Sequence, residues 1–175
     1  VTVNGETMIE PSHLVDAADK VVVNGKTVTL RRRYYVMLNK PRGYVCTSKD
    51  PHAKRKAVDL VDLPGVRLFT VGRLDKNSDG LILLTNDGDF ADRLAHPRNG
   101  VLKTYHVITQ DELPVDALAR FVTGFERDGE RLKAVAVERY DDKAYRFVLG
   151  EGRKREIRRM VQSAGSEVRR LTRVK

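Results

Sequence analysis

A chain of 175 residues with 41% hydrophobic side chains is long enough for one domain with a real core and a small appendage. With 33% charged residues, no tryptophan and apolar runs only a few residues long, it holds no segment able to span a membrane as a helix. The net charge of +9 is concentrated: residues 152–175 carry nine Lys or Arg against Glu156 and Glu167, so +7 of it lies there, which points to a polyanionic partner and, without aromatic anchors, away from an anionic membrane.

Residues 1–30 read as short extended pieces. "VTVNGE" and "VVVNGKTV" each set an Asn-Gly turn beside valines, the pattern of a tight hairpin, and "LRRR" at 30–33 reads as a junction. "YYVMLNKPRGYVCTS" at 34–48 predicts a buried strand, a turn enforced by Pro41 and Gly43, and a resumed strand. "DPHAKRKAVDLV" is a basic loop entering a short helix, and "GVRLFTVGRL" an alternating strand. A polar loop around Asp75 follows, then "LILLT", a strand buried on both faces. Phe90–Ala95 predicts a brief helix closed before Pro97, and "KTYHVIT" at 103–109 another strand. Leu118, Phe121, Val122 and Phe125 recur at helical spacing, with Gly124 and Gly129 bracketing the end. "RLKAVAVERY" and "AYRFVLG" predict antiparallel strands around "DDK". "REIRRMVQSAG" closes as a helix with Ile157, Met160, Val161 and Ala164 in one stripe and Gly165 as its cap. Strands predominate and helices intervene irregularly, so the expectation is α+β with a mixed, mostly antiparallel sheet and flanking helices.

The loop "DKNSDG" at 75–80 matches the first half of a calcium-binding pattern and then fails: the bidentate glutamate is replaced by Asn86, and Leu83 stands at the ninth position. His13, His52, His96 and His106 have no ligand spacing, so no metal site is expected. No glycine-rich phosphate cradle occurs either. Cys46 is the only cysteine, which excludes an intramolecular disulfide and suits a reducing cytoplasm, where it reads as a small buried hydrophobe. Asp75 is left as a carboxylate emerging from a rigid strand, with Arg73 on the same side of the extended chain. Arg158, at the edge of the apolar stripe, is a candidate cation for it, while Arg155 and Arg159 point further outward.

Together these stretches resemble the RsuA/RluB-type branch of the RNA pseudouridine synthases. "LNKPRGYVCT", "GRLDKNSDGLILLTNDG", "KTYHV" and "EGRKREIRRM" are similar to four of its motifs, in order, over residues 35–175. The resemblance implies a cofactor-free isomerase of ribosomal RNA, most often of the large subunit, with Asp75 as its essential carboxylate. It implies that Arg73 holds the flipped-out state, that Tyr105 stacks on the base, that Leu171 lines the pocket and that Arg158 faces Asp75. Lys40, Arg42, Lys103, Arg153, Lys154, Arg155 and Arg159 become candidates for phosphate contacts. Glu156 departs from the family's usual glutamine and receives no role beyond pairing with a neighbouring arginine. Residues 1–30 resemble the tail of an N-terminal RNA-binding domain and 31–175 a catalytic domain cut short at its C-terminus, so a piece of a longer protein beginning before Val1 is expected. A cytoplasmic monomer is expected. The rival reading is a non-catalytic RNA-binding or ribosome-assembly module, which needs the basic surface but not Asp75.

Overall fold

Asparagine and glycine tolerate the left-handed backbone that two-residue hairpins require. In the computed structural model, which describes residues 1–29, 32–47, 50 and 53–175, Asn4 and Gly5 have φ of 53° and 94°, and Asn24 and Gly25 50° and 76°. They close β1 (Thr2–Val3) onto β2 (Glu6–Thr7) and β3 (Val21–Val23) onto β4 (Lys26–Thr27), giving a four-stranded sheet ordered β2-β1-β3-β4. The chain divides into two compact units, Val1–Arg33 and Tyr34–Lys175. Leu30 and Arg31 of the expected junction, and Ser48, Pro51 and His52 of the expected strand and basic loop, lie outside the described residues.

The second unit is built on β5 (Tyr35–Lys40), β6 (Phe69–Val71), β7 (Asp79–Thr85), β8 (Lys103–Thr109), β11 (Ala136–Asp141), β12 (Ala144–Leu149) and β13 (Val168–Arg173), with a separate hairpin of β9 (Phe125–Arg127) and β10 (Glu130–Leu132). The large sheet runs β11-β12-β8-β13-β7-β5, and β6 also pairs with β7. Every pairing in it is antiparallel except β13 with β7. Helices α1 (Gly88–Ala95), α2 (Val115–Thr123) and α3 (Glu156–Ser163) complete an α+β fold of the expected kind.

The alternation of β8 turns Tyr105, Val107 and Thr109 inward and leaves His106 and Ile108 exposed. Onto that inner face, with Phe147 and Leu149 of β12 and Leu171 of β13, pack Phe121 of α2 and the Ile157, Met160 and Val161 stripe of α3. Each such side chain contributes about 1.5–3 kcal/mol of burial, which offsets the weak intrinsic stability of two- or three-turn helices.

Several expectations need correction. After the Pro41–Gly43 turn no strand resumes among the described residues; Val45 makes one isolated bridge to Lys56, and β5 is a half-exposed edge strand rather than a buried one. Strand β6 is only three residues long, ending where Gly72 turns to φ 70°. Phe125 is not helical: Gly124, at φ 89° and ψ 151°, ends α2, and Phe125 opens β9 with its ring 6.0 Å from that of Phe121. It joins the same core from a different element, so its apolar phase matched the helix. Arg131 and Leu132 thereby belong to β10, and β11 begins at Ala136.

Candidate active site

Asp75 sits on the connection between β6 and β7, whose antiparallel pairing, Val71 opposite Leu83, fixes both ends of the loop. Its middle is pinned from two sides. The Leu74 N–H donates to Cys46 Sγ at 3.3 Å, the Gly43 N–H to the Lys76 carbonyl at 2.7 Å, and Arg42 Nε to the Asn77 carbonyl at 3.1 Å. From α3, Arg158 Nη2 donates to the Asn77 carbonyl at 3.4 Å, while its Nη1 reaches the Val168 carbonyl at 3.2 Å. Arg158 Nε lies 3.9 Å from Asp75 Oδ2. Burial lowers the Arg158 pKa from the ordinary arginine value and the Asp75 charge opposes that shift, so the guanidinium remains a cation.

Asp75 opens onto a cleft of about 340 Å³ that Arg73, Ser78, Tyr105, Glu156 and Leu171 also line. Tyr105 and Leu171 are buried, at 7% and 6% exposure, and Arg73 and Asp75 are exposed. Burial raises the Tyr105 pKa, against the nearby Arg173, so the phenol is neutral. Arg153, Lys154 and Arg155 bring positive charge to the cleft; Arg153 is paired with Glu151 at 2.8 Å, whereas Lys154 and Arg155 are exposed. Arg155 precedes α3 at its N-terminal cap position, with φ at 52° in the left-handed region.

Lys40 is fully buried, its Nζ donating to the carbonyls of Pro41 at 3.0 Å and Tyr44 at 2.9 Å, and burial lowers its pKa. It clamps the turn that holds the Asp75 loop instead of meeting a phosphate. Arg159 is likewise inward: its guanidinium binds Glu130 and, at 2.8 Å, the Arg127 carbonyl, tying α3 to the β9–β10 hairpin. Arg42 braces the loop as above and donates to the Arg169 carbonyl at 3.0 Å. Lys103 is half-buried, donating to the Val101 carbonyl at 3.2 Å, its pKa lowered by burial and by Arg173. Among the described residues Glu156 pairs with no arginine side chain; its buried carboxylate accepts the Arg153 backbone N–H at 3.1 Å. Cys46 does more than fill space, since its sulfur accepts the loop's backbone bond. Arg173, which the sequence reading passed over, stands opposite Tyr105 in the β13–β8 register; its spacing of two from Leu171 could have placed it on the same face.

Among the described residues, no group of three or more His, Cys, Asp or Glu is placed to hold a metal ion, and no helix is long and apolar enough to cross a membrane. Ribosomal large subunit pseudouridine synthase B of Bacillus subtilis is 34% identical over 179 residues, covering 99% of this chain and 73% of the relative. A chloroplast protein of Arabidopsis thaliana that carries the name of a ribosomal large subunit pseudouridine synthase is 36% identical over 196 residues, but the chain spans only 48% of its length. A crystal structure of a pseudouridylate synthase superposes with a TM-score of 0.76 at 30% identity, over 99% of this chain and 76% of that one. Residues 34–163 match the RNA pseudouridylate synthase family, and the chain belongs to that family.

Proposed function

We propose that this protein isomerises uridine to pseudouridine in ribosomal RNA of the large subunit, without a cofactor, using Asp75. The observation that carries the reading is the Asp75 carboxylate 3.9 Å from the buried Arg158 guanidinium, in a cleft shared with Tyr105 and Leu171. Forming pseudouridine detaches uracil from its ribose, turns the ring and rejoins it through carbon. A carboxylate suits that work as nucleophile or as base, and the adjacent cation complements its negative charge in a partly dry site.

The target uridine must leave the RNA stack to reach the cleft. Arg73 holds the vacated position, Tyr105 stacks on the extruded base, a contact worth about 1–3 kcal/mol, and Leu171 packs beside it. Arg153, Lys154 and Arg155 take phosphates. Arg42 and Lys103 add charge from positions already bonded to carbonyls. The small sheet within residues 1–30 is read as an RNA-binding element, and the protein as a cytoplasmic monomer. Replacing Asp75 by Asn and mapping new pseudouridines in unmodified ribosomal RNA tests the assignment. Product should vanish while RNA binding survives; retained product defeats it.

A further inference from the structure

Two buried side-chain atoms have no hydrogen-bond partner among the described residues: Arg159 Nε and Ser78 Oγ. Arg159 is bonded through both terminal nitrogens, and its Nε lies 3.4 Å from the Asp128 carboxylate, so it has a charged neighbour. Ser78 is different. Its whole hydroxyl is unused, although the residue is 1% exposed and its own N–H donates to the Asp75 carbonyl at 3.0 Å. The other buried serine and threonine hydroxyls among the described residues, on Thr85, Thr109 and Ser166, all make side-chain hydrogen bonds. The neighbouring Asp79 is also committed, to Thr172 Oγ1 and, at 3.3 Å, Arg170 Nε. A hydroxyl sealed from water without a partner costs the empty protein stability that alanine would not. Ser78 is also one of the residues that wall the Asp75 cleft.

We propose that the Ser78 hydroxyl turns into the cleft when uridine enters and hydrogen-bonds the polar edge of the uracil ring. The inference rests on the isomerase reading above. That edge presents a carbonyl, an N–H and a second carbonyl in sequence, and the ring must turn before it rejoins the sugar. The half turn that brings carbon 5 to the sugar exchanges the two carbonyls about the N–H, so a donor that meets one carbonyl meets the other afterwards, while only a group that can also accept meets the N–H between them. A hydroxyl donates to either carbonyl or accepts from the N–H by rotating its own hydrogen, so it follows the ring with no movement of the backbone. Ser78 therefore acts on the base after extrusion and has no part in phosphate binding.

The test compares the full chain with Ser78→Ala and Asp75→Asn on transcribed large-subunit ribosomal RNA, reading single-turnover rate, RNA affinity and melting temperature. Wild type active and Asp75→Asn inactive upholds the isomerase reading by itself; an inactive wild type or an active Asp75→Asn removes that reading directly. Given an upheld reading, Ser78→Ala should lose about tenfold in rate, the effect of one hydrogen bond felt in the transition state. Its RNA affinity should stay within about twofold and its melting temperature should hold or rise. A rate within about twofold of wild type overturns the Ser78 assignment. So does a loss confined to RNA affinity, or a lower melting temperature, which would reveal an internal partner for the hydroxyl.

Discussion

The Arg158 guanidinium stands 3.9 Å from the Asp75 carboxylate with only 12% of its side chain exposed, against 42% for the aspartate. The cation is the fixed member of the pair, held by the carbonyls of Asn77 and Val168, and the anion is the accessible one. That asymmetry suits a carboxylate that must meet a substrate while its counter-charge stays in place. Arg158→Met should keep the stem's packing and remove the charge, lowering the single-turnover rate about 10²-fold with little change in RNA affinity. Arg158→Lys keeps a charge but not the fork that reaches both carbonyls, and should recover only part of the rate. A loss of affinity equal to the loss of rate would instead make Arg158 a phosphate contact.

Phosphate contacts can be told from structural arginines by salt. Lys154 and Arg155 are exposed beside the cleft, while Arg159 is spent on Glu130 and the Arg127 carbonyl. Lys154→Ala and Arg155→Ala should each weaken RNA binding and reduce the slope of log affinity against log salt by about one. Arg159→Ala should leave that slope alone and lower the melting temperature, because it frees the β9–β10 hairpin from α3. The slopes come from binding titrations at several salt concentrations, and an unchanged slope for Lys154→Ala and Arg155→Ala would move the RNA path elsewhere.

The difference between these arginines marks the limit of what the sequence carries. Period-two alternation gave β8 its bounds at Lys103 and Thr109, and the stripe of Ile157, Met160 and Val161 gave α3 its buried face. The family resemblance, rather than any spacing, singled out Asp75, Arg73, Tyr105 and Leu171 together, and all four line one cleft. Burial of charge is a tertiary property, though. Nothing local separates Lys40, whose ammonium is swallowed by its own turn, from Lys154, which faces solvent. Phe125 was misassigned for a related reason: two elements converging on one core can keep a single helical phase across the Gly124 break.

Glu156 should make stability depend on pH. Burial, the largest cause, raises its pKa above the ordinary glutamate value of 4.5, and the charge of Glu151 adds to the shift. A raised folded-state value means that the carboxyl's contribution is fully present below about 4.5 and is lost as pH rises through the folded value. Glu156→Gln keeps an oxygen to accept the Arg153 N–H and removes the charge. The variant and the wild type should therefore melt together near pH 4, and the variant should melt higher near pH 7. A gap on the order of 2–4 °C corresponds to 1 kcal/mol in a chain of this size. Melting curves across that range check it, and a gap that shrinks with rising pH would contradict the sign.

The close approach of β7 and β13 leaves Gly80 no room for a side chain. Its φ is 101°, and a Cβ built there would lie 2.2 Å from the Arg173 carbonyl oxygen. The three nearest atoms, the carbonyl oxygen, amide nitrogen and carbonyl carbon of Arg173, are all backbone, so no side-chain rotation relieves the clash. Gly80→Ala must push β13 away from β7 at the one parallel pairing of the sheet, where Thr172 meets Asp79 and Arg173 meets Gly80. The cost should be on the order of 2–4 kcal/mol, combining the left-handed strain with the lost pairing. Because β13 also carries Leu171, and Asp79 follows directly on the Asp75 loop, activity should fall further than the unfolded fraction explains. Denaturant unfolding together with single-turnover rates at a temperature where the variant is folded separates the two effects. A variant that unfolds more easily but turns over normally when folded would show that the cleft tolerates a displaced β13.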